Sequence, residues 1–217
     1  MMVSADNDPR RHGTIWMMDL DKEIPAISPR IHADFRRVTL DLAPALAAST
    51  DSLTLTEITK RLESGRQCYA VWVDGQVVAY GWVSFEKEDI GELNLRIKLL
   101  PGEAYIWDCM TLPAFREKLF YSAMLTYILS ELRVQNLNRV WIGADLDNLP
   151  SQKGIARAGF RHVADLIIER VLAMRQVWVT GLSDVPESIV AEARRAFLND
   201  RDKVWLNAVS STTQENR

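Results

Sequence analysis

Residues that bind metals are scarce in this chain and scattered along it. There are three histidines (His12, His32, His162) and two cysteines (Cys68, Cys109) in 217 residues. None of their spacings matches a tetrahedral ligand set, so no metal is expected. Two distant cysteines make no disulfide framework. Each falls in a strand-like run and suits a small buried core residue, as in a reduced, cytoplasmic protein. No apolar run reaches the roughly 20 residues of a membrane-spanning helix, and no leader pattern opens the chain, so no membrane partner is expected. Positive charge is not in excess either: 26 Lys and Arg stand against 29 Asp and Glu, for a net charge of −3. With no basic stripe interleaved with aromatics, no nucleic-acid partner is expected. Internal repeats and low-complexity tracts are missing as well.

The composition is that of a globular domain, with 47% hydrophobic and 25% charged residues. The length fits one domain, expected over residues 14–207 between a flexible N-terminus (1–13) and a flexible tail (208–217). Thr14–Asp19 reads as a first strand. Pro25, Pro29 and Pro44 break the next stretch into short pieces, of which Arg36–Leu42 is either a strand or a helical turn. Thr54 or Thr56 caps a helix through Ile58 and Leu62 that Gly65 ends. Gln67–Val73 and Gln76–Phe85 are rich in β-branched and aromatic residues, and Asp74-Gly75 between them is the favoured two-residue hairpin turn. The acidic run Glu86–Asp89 with Glu92 reads as a solvated loop; the competing reading has it draw a cationic amine toward a pocket. Leu93–Leu99 returns to a strand pattern.

Pro101-Gly102 turns the chain into the apolar run 104–112, a buried strand stopped by Pro113. Phe120, Ala123, Met124, Tyr127, Ile128 and Leu132 then recur at helical spacing. A helix opening directly after a strand leaves its first N–H groups unpaired, and these attract an anion. Arg116 and Lys118 add positive charge there. Arg139–Ala144 is a second strand, leading through Asn148 and Ser151 to Gly159-Phe160. Val163–Val171 and Val177–Val179 read as further strands. A C-terminal helix (186–199) follows, capped by Ser183 or Asp184, with an apolar face for the sheet or for a second subunit in a homodimer.

The ordered set Pro113, Arg116, Asn148, Ser151, Gly159 and Phe160 resembles the GCN5-related N-acetyltransferases (GNAT family), over roughly residues 68–170. The resemblance implies an α/β (α+β) fold with a mixed, mostly antiparallel central sheet flanked by helices, in which strands 104–112 and 139–145 run parallel and diverge. It places the Ile31–Leu46 segment near an acceptor pocket and Thr14–Asp19 at the sheet's opening edge. It implies a coenzyme A thioester, acetyl-CoA or another acyl-CoA, as co-substrate. The pyrophosphate would rest on the amides of Glu117, Lys118, Leu119, Phe120 and Tyr121, aided by Arg116. The pantetheine arm would pair with Cys109, Met110 and Thr111 and meet Asn148 and Ser151. Leu119 and Tyr121 stand where the family has glycine and glycine or alanine. Ile155 stands where it often has a tyrosine acid.

The function so implied is N-acyl transfer, most simply N-acetyl transfer, to the amine of a small molecule. Asp108 and Glu86 are the candidate general bases, and Tyr121 or Tyr105 a candidate proton donor. Cys109 has no basic neighbour in sequence to activate it as a nucleophile. Two alternatives accompany this reading. One is a catalytically inactive, acyl-CoA-binding or structural member of the family. The other is an acyltransferase whose donor rides on a carrier protein.

Overall fold

The structure is a computed structural model that describes residues 10–90, 95–171 and 174–198. Residues 1–9 of the expected loose N-terminus, Glu92 with the start of the Leu93–Leu99 run, the end of the 186–199 helix, residues 199–207 and the tail 208–217 lie outside the described residues. Ten strands and five helices follow in order: β1 (Arg10–Asp19), β2 (Asp34–Val38), α1 (Ala43–Ala48), α2 (Leu55–Glu63), β3 (Gln67–Val73), β4 (Gln76–Ser84), β5 (Lys87–Ile90), β6 (Leu95–Lys98), β7 (Glu103–Thr111), α3 (Phe120–Val134), β8 (Arg139–Asp145), α4 (Leu149–Arg157), β9 (Arg161–Val171), β10 (Met174–Gly181) and α5 (Glu187–Phe197).

Eight strands form one sheet in the order β10-β9-β1-β8-β7-β4-β3-β2. All described pairings are antiparallel except β7 with β8, whose parallel register runs from Glu103↔Arg139 to Ile106↔Ile142 and stops there. Beyond Ile106 the two strands part. The sheet is covered on both faces. One face packs on α3 and α4 through Tyr69, Val71, Ile106, Phe120, Met124, Ile128 and Ile155. The other packs on α5 and the two-stranded β5–β6 ribbon through Ile15, Ile97, Tyr105, Trp141, Leu166 and Phe197, and on α1 and α2 through Leu46, Ile58, Cys68 and Trp82. Helix α3 buries seven apolar side chains against the sheet, Ala123 and six larger ones. Each contributes about 1.5–3 kcal/mol when a residue of Val or Leu size is fully buried.

Local signals account for much of this. Thr54 caps α2 in a reciprocal box with Glu57, and Gly65 follows with φ 85°. Asp74 and Gly75 both take positive φ (50° and 81°), as a tight β-hairpin turn requires. The β2 strand resolves the Arg36–Leu42 ambiguity: the chain is extended from Asp34 to Val38 at the sheet edge beside β3.

Four expectations are corrected. The opening strand lies inside the sheet, not at its edge: it sits between β8 and β9, and it begins at Arg10, so residues 10–13 are ordered strand. Ile15 and Met17 pack on one face and Trp16 and Met18 on the other, and a strand apolar on both faces is stable only when covered on both. The acidic run is not a solvated loop, because Lys87–Ile90 pairs with Leu95–Lys98 and Glu88 is buried, held by Arg66 Nε at 2.7 Å and Nη2 at 3.0 Å. Neither Ser183 nor Asp184 caps α5. Pro186 takes the cap position without a side-chain bond, and Asp184 accepts instead from Arg161. Lastly, Val38, Ala43 and Leu46 of the 31–46 segment serve the core under α1 and α2, and no residue of 31–46 lines the cleft described next.

Candidate active site

The divergence of β7 and β8 opens a cleft of about 260 Å³. Its walls include the strand ends that no longer pair with each other (Trp107, Asp108, Cys109; Gly143, Ala144, Asp145), the first turns of α3 and α4 (Tyr121; Asn148, Ser151), and β1 (Gly13, Thr14, Ile15). A parallel pair joined by a crossover helix carries both strand C-termini, and so both following helix N-termini, to one end of the sheet. Partially charged N–H groups therefore converge on that end.

The β7 wall is kinked. Tyr80 pairs with Met110 and Trp82 with Trp107, so Gly81 alone faces both Asp108 and Cys109. This is a β-bulge. Asp108 takes φ 43° there, and a Cβ on Gly81 would sit 2.9 Å from the Cys109 sulfur. The bulge turns Asp108 into the cleft, where its carboxylate meets Arg61 Nη1 of α2 at 2.5 Å. The Arg61 guanidinium lies 5.1 Å from the Trp82 ring and 4.6 Å from the Trp107 ring, a cation–π sandwich that fixes the ion pair.

The turn before α3 is the candidate anion site. Leu119 is the helix N-cap at φ 67°, ψ 7°, and Glu117 has φ 62°. The loop thus follows a left-handed backbone path that glycine adopts freely, with a leucine and a glutamate in the left-handed places. Each costs about 1–2 kcal/mol. Among the described residues the amides of Phe120, Tyr121 and Ser122 have no backbone acceptor, and the helix's first bond is Ala123 N–H to Leu119 O. Arg30 N–H to Lys118 O (3.0 Å) braces the loop from outside. Arg116 Nε reaches Thr111 O at 3.4 Å, and Lys118 Nζ donates to Ala114 O at 3.0 Å. Both cations therefore stay within the turn. The Thr111 hydroxyl is buried without a partner among the described residues.

Helices α3 and α4 touch inside the cleft. Ser122 Oγ donates to Gly154 O (3.1 Å), and the Tyr121 hydroxyl lies 3.1 Å from Ser151 Oγ. Gly154 makes room for the tyrosine: a Cβ there would be 2.4 Å from Tyr121 Cδ1. Burial pushes the Tyr121 phenol far above its usual range, with the Ser151 hydrogen bond opposing. Burial, with the Asp108 charge, likewise raises the Cys109 thiol. A thiol so held is protonated at neutral pH and is not a nucleophile.

Of the residues singled out from sequence, Asp108, Cys109, Tyr121, Asn148 and Ser151 meet in this cleft, and Arg116 to Phe120 form the adjoining turn. Asn148 caps α4, its side chain accepting from Ser151 N–H. Met110 and Thr111 pair with β4 and are not among the cleft's walls. Glu86 is not brought to the cleft; it is exposed in the turn after β4, where its carbonyl accepts from Leu99 N–H. Ile155 is fully buried under α4. Sequence reading missed Arg61, which lies 47 residues from its partner in the chain, and the β1 wall, whose signal was an apolar pattern on both faces.

The architecture is a mixed sheet split between two parallel strands, with a helix N-terminus at the split. Residues 34–160 match the acetyltransferase (GNAT) family, and the chain belongs to that family. No curated protein matches it. Among solved structures it is similar to a GCN5-related N-acetyltransferase from Sphaerobacter thermophilus, at 13% identity and TM-score 0.55 over 81% of this chain and 54% of that one. It is also similar to a GNAT-family acetyltransferase from Colwellia psychrerythraea, at 15% identity and TM-score 0.53 over 79% and 56%. A likeness of the same order, 15% identity and TM-score 0.50 over 72% and 63%, links it to a putative GNAT acetyltransferase from Novosphingobium aromaticivorans. These are likenesses of fold. The chain spans little more than half the length of the first two structures.

Proposed function

We propose that this protein transfers an acyl group from a coenzyme A thioester to the amine of a small molecule. The observation that carries the reading is the loop before α3. Its backbone is left-handed at Glu117 and Leu119 although neither is glycine, so the cradle is kept at a conformational cost. Backbone strain of this kind persists where the surroundings over-determine it, and it clusters at ligand sites. That favours a working site over an inactive relative of the family.

The amides from Glu117 to Ser122 and the Arg116 and Lys118 charges are the groups that would hold the pyrophosphate. The edge of β7 at Cys109 that faces the split and the α4 turn at Asn148 and Ser151 are those that would hold the pantetheine arm. When bound, the thioester supplies an activated acyl carbon: the amine nitrogen bonds to it, the carbon–sulfur bond breaks, and the sulfur leaves as thiolate. Asp108, fixed by Arg61, lies where its carboxylate orients the incoming amine and accepts the proton it sheds. Tyr121, protonated across the physiological range, is the donor to the departing sulfur. Positioning alone supplies about 7–11 kcal/mol of barrier reduction, against roughly 3–5 kcal/mol for a general acid or base. The cleft's geometry is therefore the larger part of the catalysis.

Calorimetric titration with free coenzyme A and acetyl-CoA tests the reading, together with release of free thiol against a panel of small amines. Arg116→Ala is expected to weaken coenzyme A binding by about tenfold, one charge-assisted contact, with the melting temperature unchanged. Absence of binding to coenzyme A and every ester at millimolar concentration would overturn the proposal.

A further inference from the structure

The cleft passes through the split in the sheet. On the α3–α4 side it ends at Tyr121, Asn148 and Ser151. On the other side it continues as a pouch under α5 and the β5–β6 ribbon, with Ile15, Leu95, Leu166 and Phe197 as its apolar walls. Two features of that pouch have no structural cause. Gly13 and Gly143 lie on neighbouring interior strands, where glycine weakens a sheet. Neither has positive φ. A Cβ at Gly143 would meet the Tyr105 hydroxyl at 3.5 Å and Thr14 O at 3.6 Å, and one at Gly13 would meet nothing closer than Ala144 O at 3.4 Å. Those are ordinary contacts, so alanine fits at both places, and the empty volume is not demanded by packing or backbone. Interior glycine with room beside it marks a place where a ligand approaches the backbone.

The second feature is Tyr105. Its side chain is nearly fully buried, packed edge-on to Phe197 at 5.9 Å, and its hydroxyl has no hydrogen-bond partner among the described residues. That hydroxyl stands beside Gly143, the first residue of β8 past the last paired position, and so at the neck between the split and the pouch. The hydroxyl is open to the cleft although the ring is buried. A ligand atom can satisfy it there.

We propose that the pouch receives the acyl group of the donor, and that this group is an apolar chain longer than acetyl. The thioester carbonyl accepts from the Tyr105 hydroxyl at the neck, and the chain runs over Gly143 and Gly13 toward Leu166 and Phe197. The assignment rests on the thioester reading above and narrows it. Ile15, Leu95, Leu166 and Phe197 fit an alkyl chain, while Arg11 and Asp145, of opposite charge, also line the cleft near Gly13.

The test is calorimetric titration with free coenzyme A and its acetyl, butanoyl, hexanoyl and octanoyl esters. Each methylene buried adds up to about fourfold in affinity, so hexanoyl-CoA is expected to bind at least tenfold tighter than acetyl-CoA. Gly143→Ala, which fits without a clash, lowers that preference at least threefold, and Gly143→Val removes it. Free coenzyme A binds all three proteins alike. Tyr105→Phe weakens every ester by about two- to tenfold and leaves free coenzyme A unchanged. Equal affinity for all esters in the wild type, or a length preference that survives Gly143→Val, overturns the pouch assignment while the acyltransferase reading stands. Failure of free coenzyme A itself to bind overturns both.

Discussion

Glu117 combines a backbone φ of 62° with an exposed side chain, so Glu117→Gly removes a strained conformation and a charge but almost no packing. Relief of the left-handed conformation stabilises the fold by about 1–2 kcal/mol. The greater freedom of glycine in the unfolded chain takes back about 0.5–1 kcal/mol. The remainder, about 0.5–1 kcal/mol, raises the melting temperature by roughly 1–4 °C in a domain of this size. The charge acts separately. A carboxylate roughly 8 Å from a phosphate charge in water repels it by about 0.5 kcal/mol. For the two charges of a pyrophosphate the sum is about 1 kcal/mol, or roughly fivefold in affinity at low salt. The gain shrinks at physiological ionic strength, where screening acts over about 8 Å. Glu117→Gln is the control, because it loses the charge and keeps the φ. Scanning calorimetry and titration with coenzyme A at low and physiological salt should show both variants binding tighter and only the glycine variant melting higher. If Glu117→Gly melts no higher than Glu117→Gln, the strained backbone is not there. If all three proteins bind alike at low salt, no phosphate sits at this turn.

Gly154→Ala drives a Cβ to 2.4 Å from Tyr121; it should cost about 1–3 kcal/mol in a urea melt and lower turnover by displacing the Tyr121 hydroxyl, and a fully active, fully stable variant would contradict the packing. Arg61→Ala leaves Asp108 unpaired between strand ends and empties the space between Trp82 and Trp107. A loss of at least tenfold in kcat with coenzyme A affinity retained is expected, and unchanged turnover would remove Asp108 from the reaction. All five tyrosines (Tyr69, Tyr80, Tyr105, Tyr121, Tyr127) have their phenols raised, chiefly by burial, and so do both thiols. A raised folded-state value means stability that is complete below the unfolded pKa and lost as pH climbs past it. Stability in urea should therefore hold through pH 8 and fall between about pH 9 and pH 11, with tyrosine absorbance changing only as the chain unfolds. Smooth tyrosine ionisation in the native state would refute this.

Much of the scaffold is written locally. The Asp74-Gly75 hairpin, the Thr54 cap with Glu57, the Pro113 stop and the helical spacing from Phe120 to Leu132 each depend on a few adjacent residues and on backbone preferences that hold in any context. Apart from β5, the order of elements from Gln67 to Phe160 was legible for that reason, and with it the family and the helix N-terminus that faces the split. Asn148 and Ser151 line the cleft because Asn148 caps α4 where that helix opens, which is a local event.

What the tertiary structure decided involves partners far apart in the chain. The strand from Arg10 enters the sheet between β8 and β9, because only there are both of its apolar faces covered. It thereby supplies Gly13 and Ile15 to a cleft whose walls from other elements begin only at Leu95. The left-handed path at Glu117 and Leu119 is imposed against their side chains, by Arg30 bracing Lys118 and by α3 sinking seven apolar groups into the core. Local preference alone argues against that path. Glu88 reads as solvent-facing from its neighbours and is buried because Arg66 meets it across a turn. Glu86, with the same local chemistry, stays in water, and no cation among the described residues pairs with it. Asp108 points into the cleft because Gly81, on the adjacent strand, leaves room for a bulge. Charge pairing, strand insertion and bulge placement are settled by which surfaces meet, and that is a property of the folded chain.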